Sequence, residues 1–245
     1  MTRDLGDAPT VTDLTLPDLA TLGALQGRFL ASVREVDATV PVPWCGRWRV
    51  RELVVHLARI HHWAAGQARR CQETPLGRGP FVLDELYATQ AAELRATLEA
   101  LDPDAPAWTL DGSGVVRFWH RRQVHETLVH LWDLRTAGGL PLDVPAELWA
   151  DTVDEVVTMF QPRQVRLGRT TVLPGRIALV ARDVGRAWST DADEDAPPSP
   201  VVQVAGPAAA LALLLWGRTT PDDPALTVTG DRAALEAALA GRITP

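Results

Sequence analysis

One stretch constrains this chain more than any other: Phe118 to Asp133, reading FWHRRQVHETLVHLWD. Wound as a single helix at about 100° per residue, it sets Glu126 and His130 about 40° apart on one face, a turn from each other, where they can share a ligand. His125 and His130 stand about 140° apart round the cylinder. The stretch is therefore not the protease helix His-Glu-x-x-His, whose two histidines grip one zinc from consecutive turns. A third donor is available in VRELVVHLARIHHW, where His56 lies among Leu53, Val54, Leu57 and Ile60 and points toward a core. Two imidazoles and one carboxylate suit zinc or a similar divalent ion and leave a coordination position open for chemistry.

The remaining periodicity supplies a frame for these residues. Leu19, Leu22, Phe29, Val33 and Val36 recur at helical intervals between about Pro17 and Thr39, and Pro17 is acceptable in a first turn. Pro41 and Pro43 break the pattern before a second helix from about Val50 to Cys71. A third runs from about Val82 to Leu101, and the fourth is the opening stretch, stopping near Gly138 and Pro141. Four amphipathic helices joined by loops predict a four-helix bundle over residues 1–140, and bundles build metal sites from inward side chains of facing helices.

From residue 141 to 245 the texture changes. A helix from about Ala146 to Phe160 precedes the short runs IALVARD, RAWST, VVQVAG and ALTVTGD, which read as strands, and Asp231 stands where it would cap a last helix. The run Leu211 to Trp216 is apolar all round, which predicts a buried helix over a small sheet. The fold class is thus two-domain α+β, with a smaller α/β second domain.

The net charge of −7 argues against nucleic acid or an anionic membrane as partner, since either favours a basic face. All 24 basic residues are arginine, which removes any lysine base or Schiff base. Two cysteines, Cys45 and Cys71, are too few for a disulfide framework. No signal-peptide core or membrane span is evident, so the chain is read as cytoplasmic; the expected assembly is a monomer or homodimer.

Three motifs in order carry a resemblance: Trp44-Cys45 with Trp48 and Val50-Arg51-Glu52-Leu53 leading to His56-Leu57, then Phe118-Trp119 through Arg121-Arg122, His125-Glu126, His130 and Asp133, then Leu213-Leu214-Leu215-Trp216-Gly217-Arg218. Together they resemble the mycothiol-dependent maleylpyruvate isomerase family over nearly the whole chain. The resemblance implies a DinB-like metal-binding four-helix bundle followed by a sterol-carrier-like α/β domain. It places the metal on His56, Glu126 and His130, the three that helix geometry selects, and implies a functional arginine at Arg218. Gly46-Arg47 and Arg49 stand where the family usually has Pro-Gly and Thr, which reshapes the entrance to the pocket.

The implied cosubstrate is mycothiol, with zinc the expected ion. A divalent cation that binds sulfur shifts a thiol of pKa about 8.5 to the nucleophilic thiolate. Reversible addition to an activated cis double bond gives an isomerase, and displacement of a leaving group gives an S-transferase. Two other classes stay open: a metal-dependent hydrolase using an activated water, and a non-catalytic metal-binding module.

The other singled-out residues have competing readings. Asp133 is a candidate catalytic residue that receives a ligand imidazole's N–H, or else pairs with Arg135 or Arg122. Arg218 is a candidate catalytic and cofactor-binding residue that clamps an anion, or else caps the apolar helix. Cys45 reads as a small packed side chain, His125 as structural, and His61, His62 and His120 as surface or boundary residues.

Overall fold

A computed structural model describes residues 17–70, 75–190, 200–241 and 243–244. The polar N-terminal lead-in, Cys71 and the acidic run 191–195 fall outside the described residues. The chain divides into two compact units, residues 1–145 and 146–245.

The first unit holds four helices: α1 Leu19–Glu35, α2 Val50–Ala68, α3 Leu83–Ala100 and α4 Arg117–Ala137. Asp18 opens α1, its Oδ1 accepting from the Thr21 N–H at 2.8 Å. The helix stops at Glu35 rather than near Thr39, because the Asp37 side chain accepts from the Thr39 N–H at 2.7 Å and turns the chain. Both α1 and α2 pack against α3 and α4, so consecutive helices one and two stand across the bundle from each other. The α2–α4 contact is the one that faces His56 toward Glu126 and His130. Leu22, Leu25, Phe29, Leu53, Leu57, Leu94, Leu128 and Leu131 fill the middle with no exposed surface.

The link from α1 to α2 is a short β-bridged loop. Pro41 pairs with Arg49, and the Val42 N–H donates to the Trp48 carbonyl at 2.9 Å. Trp44 and Gly46 take positive φ at its tip, 67° and 63°. The loop carries Cys45 to Asp133 of α4 and Trp48 to His56 of α2.

In the second unit, α5 (Ala146–Glu155) runs through a π-helical turn, Val156–Phe160, into α6 (Gln161–Arg166). The expected helix end at Phe160 is thus a continuation. Pro162 has no N–H to donate to the preceding turn, and the wider π turn directly upstream accommodates it. Four strands follow, β1 Ile177–Ala181, β2 Arg186–Ser189, β3 Val202–Gly206 and β4 Thr227–Gly230, in the order β2-β1-β3-β4. The central pair is parallel and both outer pairs are antiparallel. The helix α7, Ala208–Leu215, follows β3 and packs on β1, β3 and α5. It is the buried apolar helix that its composition predicts. The last helix, α8 (Arg232–Ala240), is capped by Asp231, whose side chain accepts from the Ala234 N–H at 3.0 Å. The architecture is a helical first unit and a small mixed sheet with helices, a two-domain α+β fold. Among the described residues no helix is long and apolar enough to cross a membrane.

Candidate metal centre

Glu126 and His130 rise from consecutive turns of α4, and His56 meets them from α2. The Glu126 Oε1 lies 3.3 Å from His130 Nε2 and 3.6 Å from His56 Nε2. The three donor atoms all fall within 4.8 Å of one another. The two imidazoles meet edge to face, with ring centroids 5.0 Å apart. Zinc with bonds of about 2.1 Å holds tetrahedral donors about 3.4 Å apart, so this cluster fits such an ion with little movement.

The carboxylate's two oxygens have separate tasks. Oε2 accepts from the buried Arg122 guanidinium one turn earlier, which leaves Oε1 turned to both imidazoles. Burial alone would raise the Glu126 carboxyl, but the Arg122 charge and the hydrogen bonds from His130 and His56 hold it well below the usual carboxylate range. It is ionised throughout the physiological range, as a metal ligand must be.

His130 is oriented from behind. Its Nδ1 lies 2.9 Å from Asp133 Oδ2, so the Nδ1–H donates to the carboxylate and Nε2 faces Glu126. Burial disfavours the imidazolium, yet the hydrogen bonds to Asp133 and Glu126 outweigh it and lift the group to about 9, so a metal taken up at Nε2 would displace that nitrogen's proton and leave the Nδ1–H on Asp133. The Cys45 thiol donates to the same Asp133 oxygen at 3.7 Å. With its side chain 0% exposed, Asp133 stands behind the imidazole rather than before the open side of the cluster. That position suits a residue that aims a ligand, and it argues against Asp133 as a general base for an entering water.

His56 is the accessible member, its side chain 32% exposed against 7% for His130. Trp48 packs on its ring at 4.8 Å between centroids. Rather than pointing wholly into the core, His56 forms part of the wall of a cleft of about 630 Å³ with Trp48, Arg51 and Phe81.

Among the other histidines, His125 is fully buried in α4, and His62 pairs with Glu93 at 2.7 Å. His61 corrects the expectation of a surface or boundary residue: it has no exposed surface, and its Nδ1 lies 2.8 Å from Gln123 Oε1. Burial pushes it down to about 4, against the raising effect of Gln123. Its place four residues after Leu57 and seven after Val54 put it on the buried stripe of α2, a signal readable in the sequence. Arg122 was likewise legible, because an arginine one turn before a glutamate is a standing ion-pair arrangement.

Arg218 belongs to the second unit, just past Gly217 at the end of α7. Its Nη1 donates to the Trp216 carbonyl at 2.7 Å, with the guanidinium carbon 5.9 Å from that residue's ring centroid.

Two sequence profiles match the chain. The one described as the mycothiol maleylpyruvate isomerase N-terminal domain covers residues 19–135, and the MDMPI C-terminal domain covers 147–237. The chain belongs to the mycothiol maleylpyruvate isomerase family. A crystal structure of the mycothiol-dependent maleylpyruvate isomerase is similar to this chain at 16% identity and TM-score 0.64, over 91% of this chain and 97% of that one. A histidine-to-alanine mutant of that isomerase gives 15% identity and TM-score 0.66 over the same shares. At these identities the likeness establishes the fold. Comparison with curated protein sequences gives no match. The His56, Glu126 and His130 cluster spans the second and fourth helices, inside the segment that the N-terminal profile covers.

Proposed function

We propose that this chain is a cytoplasmic, metal-dependent enzyme that activates mycothiol for attack on an electrophilic small molecule, as a maleylpyruvate-type cis–trans isomerase or an S-transferase. The observation that carries the reading is the convergence of His56, Glu126 and His130 into one donor set with an accessible side at His56. A divalent ion held there, zinc by its donor preferences, supplies the charge that shifts a thiol toward its thiolate at neutral pH.

The protein's own side chains perform the rest. Arg122 fixes one oxygen of Glu126 so that the other faces the donors, and Asp133 fixes the tautomer of His130 so that Nε2 faces them too. Trp48 packs against the His56 ring and lines the cleft beside it. The mycothiol thiolate then adds to an activated cis double bond. Rotation about the resulting single bond and expulsion of the same thiolate give the trans product, with no net change in atoms. If the electrophile carries a leaving group instead, displacement leaves a thioether and releases that group. Arg218 is assigned to clamp the anionic part of the thiol or the electrophile, on the family resemblance and on its cationic fork.

Incubation with mycothiol and a panel of electrophiles, followed by mass measurement, tests the transferase form. Maleylpyruvate isomerisation is followed in parallel, because it produces no mass change. Thiol-dependent turnover in either assay supports the reading, and turnover of an ester or amide that is indifferent to mycothiol contradicts it in favour of a hydrolase.

A further inference from the structure

The cleft beside His56 has a chemistry that the metal cluster does not account for. Arg51 and Arg59 lie about two turns apart on α2, and both line the cleft together with His56. Arg78 enters from the segment before α3, opposite them, and the Arg59 Nη2 donates to the Gly77 carbonyl at 3.2 Å, which ties that segment to the helix. Three guanidiniums therefore share one cavity of about 630 Å³ with a metal-ligand candidate. The acidic residue of the wall, Glu52, is engaged elsewhere: its Oε2 accepts from the Arg49 N–H at 2.9 Å at the start of α2. In a chain of net charge −7 this concentration of cations is local, so it draws anions to this place and not to the surface in general. Guanidinium forks match planar, bidentate oxyanions, carboxylates above all.

We infer that the cleft is an anion subsite that holds a carboxylate of the electrophile beside the metal centre, with Arg51, Arg59 and Arg78 determining specificity. This rests on the thiol-activating reading for its catalytic meaning, though not for its binding. The subsite lies within the first unit and is independent of Arg218.

Calorimetric titration of the zinc-loaded full chain separates the two. The probes are maleate, its uncharged dimethyl ester, and inorganic phosphate. Maleate should bind, the ester should not, and Arg51→Gln or Arg78→Gln should weaken maleate about tenfold or more, as expected for loss of a charge-assisted contact. Rising salt should weaken it further. Both variants should keep the wild-type melting temperature and metal content, since both side chains are exposed. Maleate binding undiminished in both variants overturns the subsite, and phosphate binding tighter than maleate overturns the carboxylate assignment. Arginine-dependent maleate binding in a chain that is inert toward mycothiol leaves the subsite standing and overturns the thiol reading instead.

Discussion

Two buried helices, α4 in the first unit and α7 in the second, are hidden from water for different reasons. The eight residues of α7 are alanine and leucine alone, and six of them are buried, so its burial follows from the hydrophobic effect. In α4 the buried set includes Arg122, Gln123, His125, Glu126, Thr127, His130 and Asp133. Burying such groups costs free energy that only mutual pairing offsets. The pairs are present: Arg122 with Glu126, Glu126 with both imidazoles, Asp133 with His130 and Cys45, Gln123 with His61. A helix that only had to fill a core would resemble α7. The polar interior of α4 instead holds His130 and Glu126 in one geometry beside His56.

The sharpest way to break this contrast is to remove the centre of the α4 network. Glu126→Ala should abolish metal retention and, by removing the carboxylate that Arg122 faces in the core, destabilise the metal-free protein by about 3–5 kcal/mol. Chemical denaturation with metal analysis reads both. In α7 a comparable loss should come without the chemistry. Leu211→Ala, at a position with no exposed surface, should cost about 2–5 kcal/mol through the cavity it leaves, with metal content per folded chain unchanged.

His61 predicts a pH dependence confined to the bundle. Its folded value of about 4 lies below its unfolded 6.5, so the unfolded chain takes up a proton that the folded chain does not. The stability it supports is complete above 6.5 and is lost as pH falls toward 4, on the order of 3 kcal/mol in all. Denaturant midpoints of the first unit measured across that window should fall, and His61→Asn should flatten the slope. Smaller still is the effect behind the ligand. Asp133→Asn should lower metal affinity about 10- to 100-fold by loosening His130, whereas Cys45→Ala, which removes one weak donor to the same oxygen, should change it only about twofold. Competition against a chelator measures both.

The sequence made α4 readable because its candidate ligands, Glu126 and His130, lie one turn apart and local geometry alone joins them. His56 required a contact between helices, yet its setting among Leu53, Val54 and Leu57 identified the helix face, and only its degree of exposure was misjudged. His61, expected at the surface or boundary together with His62, lies on the stripe through Val54 and Leu57 and is buried with it. The π turn at Val156–Phe160 left no trace in the apolar pattern, since an unbroken run looks alike in α and π winding. The arginine-lined cleft was invisible for a third reason. It arises where the segment around Arg78 folds back onto α2, a non-local approach that neither segment encodes by periodicity.

The central claim is that three side chains from two helices hold one ion. Elemental analysis of the purified wild type beside His56→Ala and His130→Ala tests it most directly. One equivalent of a divalent metal per chain in the wild type, lost in both single variants while the helical signal persists, is the predicted result. A variant that keeps its full equivalent of metal, or a well-folded wild type that takes up none from a zinc-containing buffer, would contradict it.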